Sequence, residues 1–319
     1  MNIPLSVAEP ERVSERSGRI PALWLLLFAA APVLSAQTPV PDQTLSAGGA
    51  QITVSIAPDV TQKPADILHW VQRATDAMVA YYGRFPVPAV HVSVRPSVGE
   101  PVNSGHEHQG RHIAIGLDPK ATARDLRHDW MLTHEMFHLG FPSLNPRYHY
   151  LEEGLSDYLE PLARARIHQV SEQRVWRDFL EGMPNGLPKP ADSGLDGTED
   201  WGRTYWGGCM FWLLADMDIR QRTRGAKSLD DAILAIVAAG GTGGSDWPLE
   251  KVLQTGDAAT GTDSLHKVHQ LLGVERYAPP LNKLWERLGV REAGEGRIFF
   301  DNTAPLASAR QAMTARKHR

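Results

Sequence analysis

At 319 residues, with 42% hydrophobic and 22% charged residues, the chain can hold one large domain or two modest ones. Those values exclude wholesale disorder and a multi-span membrane protein. A formal net charge of −4, with Lys and Arg spread along the chain, argues against a nucleic-acid partner, which demands a basic face.

Arg12, Arg16 and Arg19 precede an uncharged run from residue 20 to 36, PALWLLLFAAAPVLSA at its heart. A positive flank, an apolar middle and small residues at the end form the pattern of a secretory signal peptide or an N-terminal anchor. Either reading of residues 1–36 places the remainder outside the cytoplasm, periplasmic or secreted, with membrane contact only through this segment. Residues 37–50, rich in Pro, Gly, Ser and Thr, read as a linker. QITVSIA (51–57) reads as a strand, and 64–83 as a helix opened by Pro64 and stopped by Gly83. AVHVSVR (89–95) is a second strand; a polar loop, GEPVNSGHEHQG, leads to a third, RHIAIGL (111–117).

Helices are expected over 121–140, from Tyr150 onward and over 171–181, followed by a Pro/Gly/Asp-rich loop, 182–202. Further helices cover 205–221 and 228–239, and the tail is mostly helical. The fold class is therefore α+β, divided into an α/β part over 37–140 and a mostly helical part over 141–319. Cys209 is the only cysteine, so no intrachain disulfide forms, and its setting in GGCMFWLLA reads as a small buried hydrophobe.

The chemistry concentrates in MLTHEMFHLGF, which contains HExxH as His134, Glu135 and His138. Residues four apart share a helix face, so two imidazoles there can bind one Zn²⁺ while Glu135 sits beside the open coordination position as a general base. The extended HExxHxxGxxH pattern fails, because Phe141 and Leu144 stand where Gly and His are required. A third ligand is offered by YLEEGLSDY: Glu153 begins EGLSD, and Asp157 follows one helical turn later. That spacing lets Glu153 bind metal while Asp157 orients a ligating histidine from behind. Glu152 is a substitute for Glu153 with less support. His106, His108 and His112 read as solvated loop histidines, and His149 lies close enough to Glu153 to reach the same cleft.

HEMFH followed by EGLSDY resembles the gluzincin metallopeptidases, the clan of thermolysin and aminopeptidase N. The stretch TYWGGCMFWLLADMDIRQRTRGAKSLDDAILAIV (204–237) is similar to the region after the active site in the glycyl aminopeptidase branch. The resemblance spans roughly residues 60–290. It implies a zinc-dependent peptidase with one Zn²⁺, a peptide or protein substrate, a gluzincin-like catalytic domain, and Tyr205 as a donor to the developing oxyanion. It also implies that an edge strand binds substrate backbone, here assigned to residues 111–117. Two features depart from the pattern. The spacer between His138 and Glu153 is fourteen residues, shorter than in aminopeptidase N relatives, and the GxMEN motif that binds a substrate's free amine is absent. Glu107 is the candidate replacement, with Trp201 and Trp206, on either side of Tyr205, as pocket walls. The alternative is a catalytically silent zinc-binding protein that presents the same cleft to a partner.

Overall fold

A computed structural model describes residues 41–294 and 296–316, so the expected export segment, residues 1–36, lies outside the described residues. Its first element, β1 (Gln43–Ala47), falls inside the stretch read as a linker. It pairs antiparallel with β2 (Ala50–Ile56) across Gly48 and Gly49, whose φ angles of 55° and 83° make the tight left-handed turn that suits a two-residue hairpin. Along β2, Ala50, Ile52, Val54 and Ile56 point into the core while their neighbours face outward, the period-2 pattern of a half-buried strand.

Helix α1 (Pro64–Tyr82) crosses back over the sheet on a face of Ile67, Trp70, Val71, Ala74, Met78 and Tyr81, and ends at Gly83 in the left-handed conformation. It delivers the chain to β3 (Ala89–Pro96), parallel to β2. The segment expected to be a polar loop is a strand, β4 (Val102–His108), joined to β5 (His112–Leu117) as a hairpin. The sheet order is β1-β2-β3-β5-β4.

That order corrects the edge-strand assignment. Residues 111–117 hold an interior position, hydrogen-bonded to β3 on one side and β4 on the other, and the edge on that side belongs to β4. The burial of β5 agrees, with Ile113, Ile115 and Leu117 in the core, whereas β4 is polar and, among the described residues, has no partner strand on its outer side.

The single helix expected over 121–140 is two, α2 (Ala123–His128) and α3 (Met131–His138). Thr122 and Asp125 form a capping box that starts α2. Asp129 then accepts the N–H groups of Met131 and Leu132 at 3.0 and 3.1 Å and so starts a new helix rather than continuing the old one. Trp70 Nε1 holds the same carboxylate at 2.8 Å, tying the start of α3 to α1.

The remainder is helical, as expected: α4 (His149–Arg166), α5 (Glu172–Gly182), α6 (Gly208–Arg222), α7 (Leu229–Ala238), α8 (Leu249–Thr260), α9 (Ser264–Val268) and α10 (Leu281–Leu288). A two-stranded ribbon, β6 (Val290–Glu292) with β7 (Ile298–Phe300), and α11 (Ala307–Thr314) close the chain. The described residues cluster as one compact unit. Among the described residues no helix is long and apolar enough to cross a membrane.

Candidate metal centre

Helix α3 is held from behind. Leu132, Met136 and Phe137 are buried, and Phe137 meets the rings of Tyr81 and Tyr82 at the end of α1. The opposite face presents His134 and His138 to α4, while Glu135 turns toward Gly105 of β4. A short connection with one 3₁₀ turn, Pro146–Tyr148, sets the start of α4, and Glu152 Oε1 pins the loop by accepting the Leu144 N–H at 3.1 Å. Glu152 is thus spent on the backbone, with burial pushing its pKa up to about 7. It does not join the ligand set.

His134 Nε2 and His138 Nε2 converge on a single oxygen, Glu153 Oε2, at 3.1 and 3.5 Å. One donor atom from each residue lies within 4.8 Å of the other two, and among the described residues this is the group able to hold a metal ion. On the far side of His134, Nδ1 stands 2.9 Å from Asp157 Oδ1. Burial opposes charge on these groups. Their mutual contacts overcome it, holding the Glu153 carboxyl well below the usual carboxylate range and the His134 imidazole well above its own. Two buried donors and the part-buried His138, drawn together on one carboxylate oxygen, are the arrangement a cation would replace. Two imidazoles and a carboxylate, with one position left open, is the donor set of a catalytic zinc site. The residues fit the ion.

His149 is a further contact. From the first turn of α4 its Nε2 reaches the other carboxylate oxygen, Glu153 Oε1, at 3.2 Å. The two residues are four apart on one helix, so sequence spacing carries the signal.

Tyr205 belongs to a π-helical turn, Arg203–Gly207, that runs into α6. Its ring stacks on His134 with centroids 6.1 Å apart, and burial followed by the charges of Glu153 and Asp157 pushes its pKa up, so it is a proton donor at neutral pH. What brings Tyr205 to Glu153 is the crossing of α4 and α6. A Cβ on Gly154 would lie 2.5 Å from Cys209 N and closer still to Gly208, while one on Gly208 would run into the Tyr150 carbonyl. Backbone touches backbone there, one residue from Glu153 and three from Tyr205.

A cavity of 890 Å³ opens beside the cluster and is lined by His134, Glu135, Asp157 and Tyr205. Strand β4 forms one wall: a Cβ on Gly105 would sit 2.7 Å from Glu135 Oε1. A bulge between Asn103 and His106 and a left-handed Ser104 (φ 53°) bend the strand against the helix at this point. Trp201 and Trp206 line the cavity, Trp201 stacked on Tyr205 at 5.3 Å. Glu107 is on the same strand but outside the cavity lining, its carboxylate accepting the Gly110 N–H in the hairpin turn. His108, His112 and His91 form a row of facing rings across β4, β5 and β3, apart from the metal cluster. Sequence reasoning missed Gly105 and Trp130. Trp130 stands four residues before His134, with its ring edge-on to that imidazole at 5.5 Å.

No family model and no curated protein matches this sequence. Solved structures do. An aminopeptidase N family protein from Idiomarina loihiensis superposes with a TM-score of 0.60 at 14% identity, over 78% of this chain and 49% of its own. An M1 zinc metallopeptidase from Deinococcus radiodurans, bound to a Tyr-Ser-Ala substrate, gives a TM-score of 0.51 at 16% identity, over 76% and 54%. Aminopeptidase A from Legionella pneumophila, in complex with aspartic acid, gives 0.50 at 14% identity, over 74% and 28%. The chain thus shares its fold with part of these M1 zinc metallopeptidase and aminopeptidase structures. It spans about half the length of the M1 metallopeptidase structure.

Proposed function

We propose that this protein is a zinc-dependent peptidase with a glutamate general base. The observation that carries the reading is the convergence of His134 and His138 on one oxygen of Glu153, with Asp157 behind His134 and Glu135 facing the adjoining cavity. Zinc, when bound, supplies Lewis acidity: it lowers the pKa of a water toward about 7 and polarises the scissile carbonyl.

The protein's own groups do the rest. Asp157 carries its carboxylate 2.9 Å from His134 Nδ1, within reach of the proton whose position selects the tautomer that presents Nε2. Glu135 takes a proton from the attacking water and passes it to the leaving amine nitrogen. Tyr205 donates its hydroxyl hydrogen bond to the oxygen that becomes negative in the transition state. The outer edge of β4, pressed against Glu135 through Gly105, offers backbone groups to an extended peptide. Glu107 gives no support for recognition of a free amine, because its carboxylate is engaged in the hairpin turn. Aminopeptidase action therefore rests on the likeness to aminopeptidase N proteins, and the position of the cleaved bond decides it. The Arg-flanked apolar run over 20–36 supports export, with the catalytic unit outside the cytoplasm.

The test is metal content and hydrolysis of a mixed peptide library by the purified chain, with Glu135→Gln alongside. One zinc per chain and chelator-sensitive cleavage that the variant loses are expected, and retained cleavage in the variant rejects Glu135 as the base.

A further inference from the structure

Tryptophan buries more apolar surface than other side chains, and an indole left in water forgoes that stabilisation unless something else covers it. The eight described tryptophans sort sharply. Trp70, Trp176, Trp212, Trp247 and Trp285 are buried, none more than 7% exposed. The other three, Trp130 at 47%, Trp201 at 63% and the half-buried Trp206, all line the cavity beside the metal cluster.

Their placement is ordered with respect to the chemistry. Trp130 is one ring from the cluster, meeting His134 at 5.5 Å and 87°. Trp201 is two rings away: it stacks on Tyr205 at 5.3 Å, and Tyr205 stacks on His134 at 6.1 Å. Four of the charged residues lining this cavity pair with each other, Glu160 with Arg164 and Arg174 with Asp178, while Arg177 and Glu181 also line it. Next to the metal cluster itself, the exposed surface that is in ring contact with the site is aromatic.

Resting on the peptidase reading above, we propose that the preferred substrates carry an aromatic side chain at a residue adjoining the cleaved bond. That ring packs on the faces left open by Trp130 and Trp201. Strand addition along β4 contributes affinity with little selectivity, so side-chain preference falls to these two indoles.

The experiment compares kcat/KM of the zinc-loaded chain over a series of peptides differing only at the residues flanking the cleaved bond: Phe, Trp, Leu, Ala and Glu. Phe or Trp is expected to exceed Ala roughly tenfold or more, from the apolar area covered plus the ring contact. Trp201→Ala and Trp130→Ala are each expected to lower that ratio several-fold, through KM rather than kcat, while Trp201→Phe retains most of it. Equal rates across the series, or a ratio unmoved in both alanine variants, overturn the proposal and leave the peptidase reading standing. If no peptide is cleaved, the peptidase reading fails. Calorimetric binding of the Phe and Ala peptides to zinc-loaded Glu135→Gln then decides the recognition: tighter binding of the Phe peptide supports it, and equal binding overturns it.

Discussion

Replacing Gly154 with alanine sets two effects of opposite sign against each other. Within a helix, alanine is favoured over glycine by about 1 kcal/mol, so propensity alone predicts a more stable protein. Packing predicts the reverse. The new methyl would lie 2.5 Å from Cys209 N and nearer still to two Gly208 backbone atoms, and none of these can rotate away as a side chain could. The helices must separate by an ångström or so at their crossing, which belongs at the upper end of the roughly 1–3 kcal/mol usual for overpacking. Net destabilisation of about 2 kcal/mol is expected, or roughly 3 °C in Tm for a chain of this size. The shift would also move Glu153 and Tyr205 apart, so zinc affinity and kcat should fall with stability. Thermal denaturation of the zinc-loaded and zinc-free protein measures the first effect, and a chelator competition measures the second. A Tm equal to or above that of the parent would refute the close crossing.

Three other outcomes test the centre itself. Asp157→Ala should weaken zinc binding by about 10–100-fold in a chelator competition, since nothing then fixes the His134 ring; an unchanged affinity would remove Asp157 from the site. Tyr205→Phe should keep its zinc and lose on the order of 10²-fold in kcat, as expected when an oxyanion donor is removed. Stripping zinc should lower Tm, because an ion that binds only the folded state at a hundred times its Kd stabilises by about 2.7 kcal/mol. A Tm indifferent to zinc would contradict the ligand set.

The parts of the centre visible in the sequence are those set by helical spacing. His134 with His138 and Glu153 with Asp157 are each four residues apart, and a helix places such pairs on one face whatever surrounds it. The same rule reached His149 and would have reached Trp130, which stands in that relation to His134. Tyr205 was legible only through likeness to a family, because a π-helical turn and the crossing of two helices separate it from anything local.

Strand β4 was hidden for a different reason. An edge strand carries no obligation to alternate apolar and polar residues, and NSGHEH does not. Its hairpin turn hides too: Gln109 takes a left-handed φ of 53° beside Gly110, where the recognisable sequence signal would be Asn-Gly or Asp-Gly. The strand's edge position and its illegibility therefore share a cause. A backbone left uncovered on one side lacks the burial pattern by which strands are found, and the clue that remains is Gly105, whose missing side chain leaves room for the Glu135 carboxylate.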